Sequence, residues 1–217
     1  MKSVVASAQR ERAASPRKQS NAQPLVVGVA DHGGWAILVS AAAVRGEPTV
    51  IDRRRVPLIE KGVPSQPYHH DTLSLSDAEG EQLLRKVKRS IDAYAAAAFE
   101  HLAADLSPQY RVTSITIRQP PLERLPATVR EAHDSYYVQC RADGMLYHAA
   151  ICAAARQRDW TVMLHRRGEE LGNAARALKI GARDVDRLMS DLKKTLGPPW
   201  TAEHRNAFAA AIVALRK

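Results

Sequence analysis

Cysteine is scarce in this 217-residue chain: there are two, Cys140 and Cys152, and no CxxC pair or Cys/His spacing that would make a zinc site. Twelve residues of helix would set them on different faces and too far apart to bridge, so two free, buried thiols are expected. Aromatic residues make up 5% of the chain, leaving few platforms on which single-stranded bases could stack. No apolar run approaches the ~20 residues that cross a bilayer. The basic, polar N-terminus lacks the apolar stretch of a secretory leader, so an intracellular, cytoplasmic protein is expected. There is no G-x-G-x-x-G and no Walker A loop, which excludes nucleotide hydrolysis of the P-loop kind. No internal repeat is present.

What the chain does have is positive charge, with a formal net charge of +9. Its distribution matters more than its size. The first 24 residues carry +4, from Lys2, Arg10, Arg12, Arg17 and Lys18 against Glu11. The remaining body carries +5 over a much larger surface. Residues 1–24 have no periodicity and are expected to form a disordered basic arm able to touch phosphates nonspecifically. The body, 25–217, is apolar enough to fold as one domain. Its mild charge permits binding to a polyanion without demanding it.

Leu25 to Asp31 reads as a buried strand ending on a carboxylate, and Gly33-Gly34 as a tight reversal into a second strand, Trp35 to Val39. A turn at Gly46-Glu47-Pro48 leads to a third strand, Thr49 to Val56, which makes an antiparallel meander. A proline-punctuated loop follows, from Pro57 to Thr72. Ser76 with Glu79 is a capping box for a long helix carrying Leu84, Val87, Ile91, Tyr94, Ala98 and Leu102. A fourth strand spans Val112 to Ile117. Leu122 to Gln157 is mostly helical, with breaks expected near Pro126 and Gly144, and Trp160 to Leu164 gives a fifth strand. Helices then run over Glu169 to Leu178, ending at Gly181, over Val185 to Leu196, and from a Thr201 cap to the C-terminus. The order β-β-β-α-β-α-β-α predicts an α/β fold: a mixed five-stranded sheet with helices on both faces.

That order, with Gly28 in an apolar strand leading to an acid and a glycine turn, resembles the ribonuclease H-like superfamily, and within it the RuvC-type Holliday junction resolvases. The sharpest local likeness is Glu203-His204-Arg205-Asn206-Ala207-Phe208-Ala209, which is similar to the start of that branch's final helix. The resemblance implies two Mg²⁺ ions held by carboxylates from the first strand, the fourth strand and the last helix, activating water at a phosphodiester. Carried over by position, it implies Asp31, Glu203 and Asn206 as metal-site residues, with Asp31 and Glu203 catalytic. Several positions depart from it. Ala30 stands where the first acid is usual, and Asp31 comes one later, on the opposite side of a regular strand unless a bulge intervenes. The fourth strand ends Ile117-Arg118-Gln119 rather than on an acid, and Asn206 is a neutral, weaker ligand. Glu123 or Asp143 would have to fold back to complete the set.

Each candidate also has a plainer role. Asp31 beside His32 suits a turn, and Glu203 suits a helix dipole. Tyr68-His69-His70-Asp71 holds ligand types but reads better as a structured loop, and His133-Asp134-Ser135 lacks the elbow of a hydrolase. Arg53-Arg54-Arg55 suits a charged edge strand, with Arg53 and Arg55 on one face and Arg54 on the other. Arg118, Arg166 and Arg167 are the candidate nucleic-acid contacts, within a basic series running through Arg156, Arg158, Arg176, Lys179 and Arg183. The sequence therefore points to an RNase H-like domain that binds nucleic acid rather than cutting it, with a homodimer allowed. Two alternatives stand: a divergent Mg²⁺-dependent, structure-specific nuclease, and a ribosome-associated protein similar to the middle domain of archaeo-eukaryotic release factors, on the strength of Val29-Ala30-Asp31-His32-Gly33.

Overall fold

The computed structural model describes residues 22–216. Most of the expected basic arm lies outside the described residues, but its predicted end does not. Gln23 and Pro24 already belong to the first strand, β1 (Gln23–His32). β1 pairs antiparallel with β2 (Trp35–Val44), which pairs antiparallel with β3 (Glu47–Pro57). β4 (Tyr110–Arg118) and β5 (Thr161–His165) add in parallel, so the sheet runs β3-β2-β1-β4-β5. A meander followed by two parallel strands is the mixed five-stranded sheet the sequence predicts.

Several boundaries move, each for a local reason. In the first hairpin Gly34 alone takes positive φ, at +92°. The second hairpin turns on Arg45 and Gly46, both at positive φ, so Glu47 and Pro48 are strand residues and not turn residues. Two successive left-handed residues match the twist of the flanking strands. Pro48 is tolerated because β3 is an edge strand.

α1 (Asp77–Leu106) starts on the expected box: Ser76 N–H donates to Glu79 Oε2 at 3.0 Å. Its buried stripe is Leu84, Val87, Ile91, Ala95, Phe99, Leu102 and Leu106, while Tyr94 and Ala98 sit half-buried beside it. The 122–157 region contains a short α2 (Val129–His133) and α3 (Tyr136–Arg156). The helix does not break at Gly144. The break falls at Asp134-Ser135, and residues 119–128 are irregular. α4 (Glu170–Leu178) closes on Lys179 in the left-handed conformation, and Gly181 caps α5 (Ala182–Leu196) instead of ending α4. α6 (Ala202–Leu215) completes the chain.

Alternation in β1 sends Leu25, Val27 and Val29 into a core shared with α1 and α3. Val26 joins the other core, with α4, α5 and α6. Helices thus cover both faces. Gly28 is where α6 crosses most closely: a Cβ there would lie 1.9 Å from the carbonyl oxygen of Ala207. Glycine is used because backbone meets backbone, and that contact delivers the start of α6 to the end of β1. Cys152 is buried as expected, with burial pushing its thiol up to about 11, but Cys140 is exposed. Among the described residues no helix is long and apolar enough to cross a membrane.

Candidate functional site

A cleft of about 240 Å³ opens at the carboxyl edge of β1, β4 and β5, where open α/β sheets place their ligands. Asp31, Arg118, Arg167, Glu203 and Asn206 all line it. Arg166 does not; it is exposed, 3.9 Å from Glu169. The fold therefore gathers five of the six predicted site residues, but their arrangement is not a two-metal centre.

Asp31 is 3% exposed and spoken for. Arg118 Nε donates to Asp31 Oδ1 at 2.9 Å and Nη2 donates to the Asp31 carbonyl. β1 pairs with β2 without interruption from Val26 to His32, so no bulge rescues the one-residue slip. The irregularities lie elsewhere, between Leu25 and Val26 against β4, and between Ser40 and Ala41 against β3. Strand parity sends Asp31 to the α3 side and His32 to the α6 side, next to Glu203. Ala30 keeps the position of the family's first acid, and it carries no ligand.

Glu203 sits at the opening of α6, accepting the Thr201 hydroxyl at 2.6 Å, which holds its carboxyl below the usual range. Glu123 and Asp143 do not reach the cleft. Glu123 is exposed on the irregular segment, and Asp143 accepts the N–H groups of Tyr68 and His69 at 2.9 and 3.2 Å. Among the described residues no group of three or more His, Cys, Asp or Glu side chains is placed to hold a metal ion. A guanidinium bonded to the one buried strand acid repels a divalent cation, so these residues do not fit the Mg²⁺ pair the family resemblance implies.

Two cleft residues, His165 and Glu170, were missed by sequence reasoning, while His32 was weighed only together with Asp31 at the hairpin tip. Glu170 is 6% exposed and stands 3.4 Å from His165 Nδ1, an orientation that leaves His165 Nε2 buried without a partner. His32 stacks on Trp35 with ring centroids 3.9 Å apart, and Arg55 covers Trp35 at 4.3 Å. Burial first, then Arg118, lowers the His32 pKa, so the imidazole is neutral at pH 7. His32 and Trp35 are partners across the first hairpin, a pairing the sequence could have shown, whereas Arg55 pairs with Ile37 on β2 and reaches Trp35 diagonally. His165 and Glu170 are five apart across a loop, and no spacing rule brings them together.

The three arginines of β3 are structural, not simply solvated. Arg53 donates to the carbonyls of Leu196, Gly197 and Pro199, fixing the loop that launches α6, while Arg54 bonds Asp52 and Asp105 on the other face. The π-helical turn Pro67–Asp71 is a packed loop as expected, and His133 is bound to Thr72 instead of to a serine. A larger hollow, about 720 Å³, lies at the amino end of β4 beside Arg111, Arg158 and Glu100, and contains none of the predicted site residues.

No protein-family model matches the chain, and no curated protein matches its sequence. Solved structures that the chain is similar to include two of RuvC. The Thermus thermophilus RuvC structure is 12% identical, covers 87% of this chain and 92% of its own, and has a TM-score of 0.48. T. thermophilus RuvC in complex with Holliday junction substrate is 12% identical, with 87% and 90% covered and a TM-score of 0.43. RuvC is thus a protein to which this chain is similar in structure at low sequence identity.

Proposed function

We propose that this chain is a nucleic-acid-binding RNase H-like domain that does not cleave its ligand, and that the cleft at the carboxyl edge meets the phosphate backbone through Arg118 and Arg167. The observation that carries this reading is the pair of hydrogen bonds that Arg118 donates to Asp31, one to its carboxylate and one to its carbonyl. It replaces a metal-holding carboxylate with a fixed cation whose side chain is one-third exposed. Two of its nitrogens are used on Asp31, which leaves the third for a phosphate oxygen. Arg167 adds a second charge at the rim, and the chain's excess of base over acid favours a polyanion. The ribosome-associated alternative rests on the 25–40 opening alone, and no feature of the cleft adds to it.

The test is fluorescence anisotropy of the full chain with labelled duplex DNA, branched DNA and single-stranded RNA, in EDTA and in Mg²⁺. Binding is expected in EDTA, with no cleavage in Mg²⁺. Arg118→Gln and Arg167→Gln should each weaken binding and reduce the salt slope by about 1. Metal-dependent cleavage lost in Glu203→Gln would refute the reading, as would the absence of binding to every probe.

A further inference from the structure

Tyr136 and Tyr137 open α3 with 68% and 58% of their surfaces exposed. Neither is loose. The His69 and Tyr136 rings meet in a T-shaped pair with centroids 4.7 Å apart at 80°, and His69 lies against His70 at 3.9 Å. Arg141 stands over Tyr137 with its guanidinium carbon 4.0 Å from the ring centre, and is itself anchored to the Pro121 carbonyl at 3.0 Å. Beneath them Asp143 ties down the His69 backbone. Two large rings are therefore held rigid with one side to solvent, and core packing does not account for that. Among the described residues these are the large aromatic rings most open to solvent, one of the few platforms so low an aromatic content leaves.

The platform and the cleft are joined by one helix. His148, farther along α3, hydrogen-bonds the Arg118 carbonyl at 2.9 Å. From Tyr137 to His148 the helix rises about 17 Å. A ligand touching both ends must be extended, anionic at the cleft and flat-ringed at the platform. A duplex hides its ring faces in its own stack; an unpaired strand offers them.

We infer that Tyr136 and Tyr137, with Arg141 behind them, form a stacking site for the unpaired bases of a single-stranded nucleic acid whose backbone runs to the Arg118 cleft. This rests on the nucleic-acid reading of the cleft and adds a preference for unpaired strand to it.

The experiment titrates the full chain into a single strand containing 2-aminopurine and, separately, into a blunt duplex of the same sequence. Wild type should quench the probe. Tyr136→Ala/Tyr137→Ala should lose the quenching and bind the strand about 5- to 150-fold more weakly per stacked base, with duplex binding unchanged. The Tyr136→Phe/Tyr137→Phe pair should bind like wild type, since stacking needs the ring and not the hydroxyl. It also keeps the His69 and Arg141 contacts should the alanine pair lose its fold. Wild-type affinity in the alanine pair, or weak binding in the phenylalanine pair, overturns the stacking site. If Arg118→Gln still weakens binding in that case, the cleft reading survives alone. A strand that wild type does not bind overturns the stacking site, and if the duplex is not bound either, the cleft reading falls with it.

Discussion

Replacing Asp31 with asparagine separates a structural ion pair from a metal ligand. In the folded chain the Asp31 carboxylate is almost wholly buried and accepts Arg118 Nε at 2.9 Å. Removing one partner of a fully buried pair costs about 3–5 kcal/mol. Here the Arg118 side chain is one-third exposed, so water compensates part of the loss. The asparagine oxygen still accepts a hydrogen bond, and the bond from Nη2 to the Asp31 carbonyl is untouched. What disappears is the charge assistance of one hydrogen bond, about 1.5–2 kcal/mol. For a domain of this size each kcal/mol moves Tm by about 2–4 °C, so Asp31→Asn should melt about 3–8 °C below wild type. Circular dichroism melts measure it, and a double-mutant cycle with Arg118→Gln should show a coupling of about 1 kcal/mol or more. An acid held for metal binding behaves otherwise: removing it leaves Tm level or raises it and abolishes heat of Mg²⁺ or Mn²⁺ binding in titration calorimetry. That pair of results would refute the ion-pair account.

Two further perturbations probe the scaffold. Gly28→Ala drives a Cβ into the Ala207 backbone, which no rotamer can relieve; α6 must lift away from β1, at a cost of about 3 kcal/mol, and Ala207→Gly should not rescue it. A Tm equal to wild type by the same melts would show that α6 is not seated there. Asp143 is pushed up to about 7 by burial, against the two N–H bonds that favour its ionised form. A carboxyl raised above its unfolded value of about 3.9 stabilises the fold when protonated, so its contribution is full below about pH 4 and is lost as pH rises through about 7. Urea unfolding between pH 5 and pH 8 should therefore show a steeper fall in stability for wild type than for Asp143→Asn, and equal slopes would contradict it.

Local chemistry is what the sequence by itself determined. The continuous apolar run at 25–30, Ser76 with Glu79 three residues on, and the spacing of Leu84, Val87 and Ile91 each act within a few residues, and each appears in the structure as the strand, cap or helix predicted. The five strands, their order of connection and the helices on both faces followed from short links between such segments. The slip of Asp31 relative to the family pattern was also legible, because strand parity is a local property. Tertiary structure decided where charges meet. Arg118 is 87 residues from Asp31, and only the parallel pairing of β1 with β4 puts a guanidinium on that carboxylate. Likewise Glu170, the first residue of α4, reaches His165 only through the turn at 166–169, and Asp143 is kept from the cleft by a loop it must hold in place. Side-chain pairing across a sheet depends on register and on helix crossings such as that at Gly28, which long-range packing fixes and no short window of sequence contains.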